Sequence, residues 1–413
     1  MSKAKNKVNV AMVGISKRGS GLLGLLLEMD DVNVIGVSDQ YEDRLQAAHD
    51  KVLAAKKKAP TATTDYRSLL ELKSLDAVIT PSSWTSHAQI CVDAMAAGKY
   101  AATEVGGATS IDQCWDLVKA SERTGMPCML LENCCYGQEE MTVLNMVKKG
   151  LFGELIHAEG GYRHDLRDEV CKGRENRHYR LSNYMNRTGD VYPTHDLGPI
   201  AKYLDVNRGN RMVSLTATAS KARGLNAWAN KNLGQESDLA KFNFTLGDVV
   251  TTVIKCAHGE TITLTHDTSL PRPYTRGNLL QGTKGIWMED KHGVYFDGVS
   301  PTLHTWQDLK EYYEEYEHPL WKRFRQEGVK GGHGGMDWLV LRAFVEAVKH
   351  KTQTPIDVYD TAAWMAVTCL SEDSIVTGSQ PVTIPDFTNG RWIGREPVVE
   401  GHYCLDKVCD ELF

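Results

Sequence analysis

No stretch of the 413 residues comes near the ~18 consecutive apolar side chains that a helix needs to cross a bilayer, so no membrane partner is expected. Cysteine is sparse, ten in all, and no two stand in a C-x-x-C pair. Cys134 and Cys135 are adjacent, a poor geometry for two ligands of one zinc ion, so neither a disulfide scaffold nor a metal site is expected. Positive charge is not in excess either. Lys and Arg number 47 against 53 Asp and Glu, for a net charge of −6, which argues against a general nucleic-acid binder. The basic start, residues 1–7, is followed by an apolar stretch that Gly14, Lys17 and Arg18 interrupt. It has no small-residue cleavage site. The expected location is therefore cytoplasmic, with reduced thiols. Internal repeats and low-complexity tracts are also missing.

What the chain does have is length for two domains and a strong opening. Residues 8–26 read V-N-V-A-M-V-G-I-S-K-R-G-S-G-L-L-G-L-L, a Val-rich strand that breaks at Gly14 and resumes as an apolar helix. In this strand–turn–helix unit Gly14 supplies the tight turn and Gly19 the close helix packing, with Ser16 where G-x-G-x-x-G has its second glycine. Ser16, Lys17 and Arg18 lie at the helix start, where free N–H groups and aligned dipoles favour a pyrophosphate. A second strand-like run, 32–37, leads to Asp39. That residue stands 20 positions after Gly19, where a carboxylate meets the adenosine ribose and repels a 2′-phosphate, so NAD is the expected cofactor.

Strand and helix patterns then alternate to about residue 131, which predicts a doubly wound parallel sheet, a Rossmann α/β domain over 1–133. In such sheets the ligand crevice opens beyond the strand carboxyl ends. Pro81, Trp84, His87, Glu104, Glu132 and Asn133 are thereby candidates to line it. From residue 155 the texture changes to longer strands with short turns, as at His258-Gly259. An α+β domain over 134–413, with a large, open, mainly antiparallel sheet, is predicted. Its tail, 386–413, is expected to pack back on the body.

The order of Gly-rich turn, Thr80-Pro81 with His87, a strand ending in Glu104 and an antiparallel second half resembles the glucose-fructose oxidoreductase, inositol dehydrogenase and MocA superfamily. Four further stretches resemble one branch, glycoside hydrolase family 109, the NAD-dependent α-N-acetylgalactosaminidases: E-N-C-C-Y-G at 132–137, G-G-Y-R-H-D-L-R at 160–167, Y-P-T-H at 192–195 with L-G-P at 197–199, and G-H-G-G-M-D at 332–337. Dehydrogenases of the superfamily carry Glu-Lys-Pro where this chain has Glu104-Val105-Gly106. The missing Lys disfavours simple sugar dehydrogenation and fits the glycosidase branch.

That resemblance implies hydrolysis of a glycoside by transient oxidation at C3, elimination across C1 and C2, water addition and re-reduction, an exception to the two-carboxylate scheme. It also implies a homo-oligomer. The chemistry requires a base for the C3 hydroxyl, a base for C2–H and a proton donor for the aglycone. His195 is the candidate for the first, since imidazole titrates near neutrality. Tyr162 and Tyr192 suit acid–base work only if positive charge favours their phenolates, and Arg163 and Arg167 are close in sequence. Glu132 would polarise a hydroxyl, serve as acid or form an ion pair. Arg163, His333 and Asp337 are candidate substrate contacts, although Asp337 equally suits a helix start.

Overall fold

The computed structural model describes residues 7–56, 58–398 and 401–408. The basic start up to residue 6, and positions 399–400 and 409–413 of the C-terminal tail, lie outside the described residues. The chain forms two compact units. The first holds the described residues within 1–141, 318–362 and 396–413, and the second holds 142–317 and 363–395.

The first unit is built on β1 (Val8–Val13), α1 (Lys17–Glu28), β2 (Val32–Ser38), α2 (Glu42–Lys56), β3 (Thr61–Thr63), α3 (Arg67–Leu70), β4 (Ala77–Thr80), α4 (His87–Ala96), β5 (Tyr100–Thr103), α5 (Ile111–Thr124) and β6 (Cys128–Leu130). The strands order β3-β2-β1-β4-β5-β6 and pair in parallel, the arrangement of a dinucleotide-binding sheet. Central β4 and β5 are buried along their whole length, as expected of strands covered on both faces. Helix α5 shows how local sequence sets an element's ends. Ser110 accepts from the Gln113 N–H at one end, and Gly125 closes the other at φ +70°.

A single cut near residue 133 does not describe this unit. The helix Met336–His350 packs on α1 and β1. It is tied to the end of α1's loop by Arg342, whose Nη1 donates to Asp31 Oδ1 at 2.6 Å, and by Lys349, whose Nζ donates to Asp31 Oδ2 at 3.0 Å. These late residues supply an apolar cover that the first 133 lack. The described end of the tail also packs inside this unit, with Cys404 and Leu405 buried and the Tyr136 hydroxyl donating to the Tyr403 carbonyl at 2.8 Å.

In the second unit β7 (Leu155–Gly160), β8 (Met212–Ala219), β9 (Val249–Cys256), β10 (Thr261–Asp267), β11 (Leu279–Gly282), β12 (Gly285–Met288), β13 (Gly293–Phe296), β14 (Gln307–Asp308) and β15 (Val382–Thr383) form one sheet in the order β14-β13-β12-β11-β7-β10-β9-β8-β15. All pairs are antiparallel except β7 with β10. In β9 exposed Thr251, Val253 and Lys255 alternate with buried Val250, Thr252, Ile254 and Cys256, the period-2 signature of a sheet with one covered face. Helix α6 (Gln138–Lys148) precedes β7 in sequence, and three later helices matter for the site: α7 (Arg167–Cys171), α8 (Arg180–Asn186) and α9 (Thr194–Tyr203). The tail residues 386–395 belong here, with Phe387 buried and the Gly209 N–H donating to the Trp392 carbonyl. Among the described residues no helix is long and apolar enough to cross a membrane.

Candidate active site

In the first unit the turn after β1 is compressed to the limit its glycines allow. Gly14 has φ +101°, and a Cβ there would lie 2.6 Å from the Ser82 Cα. One at Gly19 would lie 2.1 Å from the Gly14 carbonyl oxygen, with the buried Pro81 ring just beyond. Helix α1 starts at Lys17, which is exposed, with no acidic side chain in its first turn and no side-chain cap from Ser16. Its leading N–H groups are thus left for an anion. Asp39, buried at the end of β2, accepts from the Ile15 N–H on Oδ2 at 2.6 Å and from the Tyr41 N–H on Oδ1 at 2.9 Å. Each carboxylate oxygen keeps a second lone pair, so Asp39 fixes the turn and still suits a ribose hydroxyl.

This cradle fits a dinucleotide. Gly14→Ala is expected to weaken NAD binding about tenfold or more, because the new methyl meets backbone and the residue is forced into a left-handed φ. Titration of the variant by calorimetry checks it.

Trp84 and His87 stand inside the wall of this cradle. Trp84 is fully buried, donates from Nε1 to the Val105 carbonyl at 3.2 Å, and would be struck at 2.2 Å by a Cβ on Gly106. His87 is buried with Nε2 at 3.0 Å from the Ser82 carbonyl, and burial brings its pKa down to about 4. Neither side chain is open to a ligand. Both instead brace the loops at Ser82 and Glu104.

Arg18, Glu104, Asn133, His333 and Asp337, scattered over the sequence, converge. Arg18 donates from Nε and Nη2 to Glu104 Oε1 at 3.0 and 2.7 Å, and from Nη1 and Nη2 to Asp337 Oδ2 and Oδ1 at 2.7 and 2.9 Å. Asn133 Nδ2 donates to Asp337 Oδ1, and His333 Nδ1 pairs with Asp337 Oδ2, both at 2.8 Å. Burial opposes the charge on Asp337, but the bonds from His333 and Arg18 hold its carboxyl far below the usual carboxylate range. The bond to Asp337 raises His333 in turn. Asp337 therefore anchors a charge cluster at the start of its helix, and the Gly-rich segment before it carries His333 at φ +52° and Gly335 at φ +101°. Glu132, fully buried, accepts from the Cys134 N–H at 3.2 Å.

In the second unit β7 ends in Gly160-Gly161. A Cβ at Gly160 would lie 2.5 Å from the Asp196 Cβ on α9, and one at Gly161 would lie 2.1 Å from the Thr265 carbonyl on β10. Two residues without side chains thus let helix and strand close on the strand end, and the next residue, Tyr162, is held against α9. Its ring centroid is 4.4 Å from that of Tyr192 and 5.4 Å from that of His195, while Tyr192 and His195 are 4.9 Å apart, edge to face. The Y-P-T-H spacing places these last two at the entry of α9, with Pro193 as the residue before it. A buried carboxylate shapes that entry. Asp190 Oδ1 accepts from the Tyr192 N–H at 3.0 Å, and burial raises Asp190 to about 7.

The positive charge beside the phenols comes from a residue the sequence did not reveal. Arg180, buried on α8, sets its Cζ 4.9 Å from the Tyr192 centroid and 5.8 Å from the Tyr162 centroid. Arg167 is instead engaged by Asp165, with bonds of 2.8 and 2.7 Å. Arg163 is half-buried, its Nη1 running beside Gly277 and its carbonyl accepting from the Thr275 N–H. Burial pushes Tyr162 up to about 12 even though Arg180 pulls the other way. His164 and Tyr274 complete the group. The Tyr162 hydroxyl and His164 Nδ1 are 3.1 Å apart, and the half-exposed Tyr274 ring is 5.0 Å from the imidazole. Such a cluster has phenols and imidazoles for proton transfer and aromatic faces for a sugar.

Residues 136–394 match the glycosyl hydrolase 109 C-terminal domain, and residues 8–131 match the oxidoreductase family NAD-binding Rossmann fold. A glycosyl hydrolase family 109 protein of Stenotrophomonas maltophilia is 43% identical over 95% of this chain and 91% of its own length. A protein of Tannerella forsythia named alpha-N-acetylgalactosaminidase is 38% identical over 96% of this chain and 89% of its own. The crystal structure of an NAD binding oxidoreductase from Klebsiella pneumoniae superposes with a TM-score of 0.71 at 15% identity, over 92% of this chain and all of that one, a likeness of fold alone. The chain belongs to glycosyl hydrolase family 109, with an NAD-binding Rossmann domain at its front.

Proposed function

We propose that the protein hydrolyses N-acetylgalactosaminides by transient oxidation at C3 followed by elimination of the aglycone from C1. The observation that carries this reading is the gathering of Tyr162, Tyr192 and His195, with the Arg180 guanidinium over the two phenol rings, a set suited to moving protons on and off sugar carbons and oxygens and lacking the carboxylate pair of ordinary glycosidases. The Gly14–Gly19 turn and Asp39 would hold NAD, which would supply reversible hydride chemistry, so that no external oxidant is consumed.

His195 takes the proton of the C3 hydroxyl. Tyr162 takes the C2 proton, which a neighbouring ketone makes acidic, and Arg180 favours the negative charge on the phenol oxygen as its own proton leaves. Tyr192 orients the reacting hydroxyls. The substrate class follows relatives named alpha-N-acetylgalactosaminidase. Glu104-Val105-Gly106, without the dehydrogenase Lys, favours hydrolysis over net oxidation.

The test is cleavage of nitrophenyl α-N-acetylgalactosaminide in deuterium oxide. Nitrophenol release, no accumulation of NADH and deuterium at C2 of the product are expected. Hydrolysis that leaves C2 fully protiated would point to direct displacement, and NADH formed mole for mole would mark a dehydrogenase.

A further inference from the structure

Tyr162 has a problem that its other neighbours do not solve. A phenol that is buried and has taken a proton from carbon must release one before the next turnover. Arg180 faces it as a cation and has no lone pair with which to accept a proton. Among the described residues, the hydrogen-bond partner of the Tyr162 hydroxyl is the Nδ1 of His164, at 3.1 Å, and the two rings meet edge to face at 5.7 Å. His164 is only half-buried, and its Nε2 is neither hydrogen-bonded among the described residues nor sealed from solvent. One nitrogen thus meets the phenol and the other meets water. The His164 backbone is fixed to the end of β10, its N–H donating to the Asp267 carbonyl at 2.9 Å.

We infer that His164 is the proton outlet of Tyr162, a positioning residue that carries protons between the buried phenol and solvent. The inference rests on the reading above, in which Tyr162 takes the C2 proton. As the C2–H bond breaks, its electron pair enters the C1–C2 bond and the C1–O bond to the aglycone breaks. The proton moves to the Tyr162 oxygen, the hydroxyl's original proton moves to His164 Nδ1, and Nε2 releases its own to water. Water addition runs the same path backwards. Burial, and secondarily Arg180, lower the His164 pKa, so the imidazole is neutral and accepts at neutral pH. The charged and titratable groups around it are Arg180, Glu169, Asp165, His195, Tyr162 and Tyr274.

Two variants of the full-length protein with bound NAD test this. His164→Ala removes the relay and leaves room for imidazole. His164→Gln keeps a polar group for the phenol but cannot pass a proton from one nitrogen to another. Both are expected to lower kcat for nitrophenyl α-N-acetylgalactosaminide about 10- to 100-fold with little change in KM, and to slow deuterium entry at C2 in parallel. Added imidazole is expected to restore the Ala variant. A Gln variant at wild-type rate, a loss confined to KM, or a folded Ala variant that imidazole does not help would overturn the relay. Should the Ala variant fold poorly, the Gln variant decides alone. Wild-type product without deuterium at C2 would remove the elimination reading and the relay together, whereas wild-type exchange with unaffected variants would remove only the relay.

Discussion

Tyr162→Phe is expected to lower kcat about 10²- to 10⁴-fold, the usual worth of a positioned acid–base group, while the protein loses only about 1 kcal/mol of stability. The asymmetry follows from how the ring is held. Its contacts to Tyr192 at 4.4 Å and His195 at 5.4 Å are made by the ring, and Phe keeps them. The hydroxyl contributes a single bond to His164. Arg180 also stays in place, since it lies over Tyr192 as well. Rate and denaturation midpoint measured on the same preparation should therefore separate cleanly. Parallel losses in both would mean that Tyr162 is a packing residue.

The second large effect is on stability. Asp337 is nearly sealed from solvent and receives two bonds from Arg18 and one each from Asn133 and His333. Asp337→Ala leaves those donors facing an apolar methyl, and Arg18 with Glu104 alone. A loss of about 2–4 kcal/mol is expected, read from chemical denaturation. The sign of its pH dependence follows from the depressed carboxyl. The group's contribution is complete above the unfolded pKa of about 4 and fades as pH falls through the acid range toward the folded value. Wild type and variant should thus converge on acidification and stay apart from about pH 5 upward. A gap that widened in acid would contradict the assignment.

Much of the first unit was legible because its chemistry is local. The Val-rich strand, the turn at Gly14 and the apolar helix lie within 21 residues, and helix 111–124 carries its own caps at Ser110 and Gly125. The alternation in β9 was equally plain. What escaped is what depends on long-range closure. The short strands β11–β15 take their shape from neighbours in the sheet rather than from their own period.

The site divides in the same way. Tyr162, Tyr192 and His195 could be named from their short motifs, and they do come together. The cation beside them could not. Arg163 and Arg167 were nearest in sequence, yet side chains alternate along an extended segment, and Arg167 is taken by Asp165. Arg180 reaches the phenols from a separate helix whose sequence carries no spacing signal. Trp84 and His87 were placed correctly at a strand end, but composition gave no hint that they point inward.

Arg18 and Asp337 are 319 positions apart in the chain, and Asp31 waits as long for Arg342 and Lys349. During synthesis the nucleotide-binding sheet therefore emerges from the ribosome long before the acid that neutralises its first helix. For most of translation that sheet is an unfinished object, dependent on sequence not yet made. A fragment ending at residue 133 would carry the same defect permanently, which makes the longer chain, and not its front third, the unit to express.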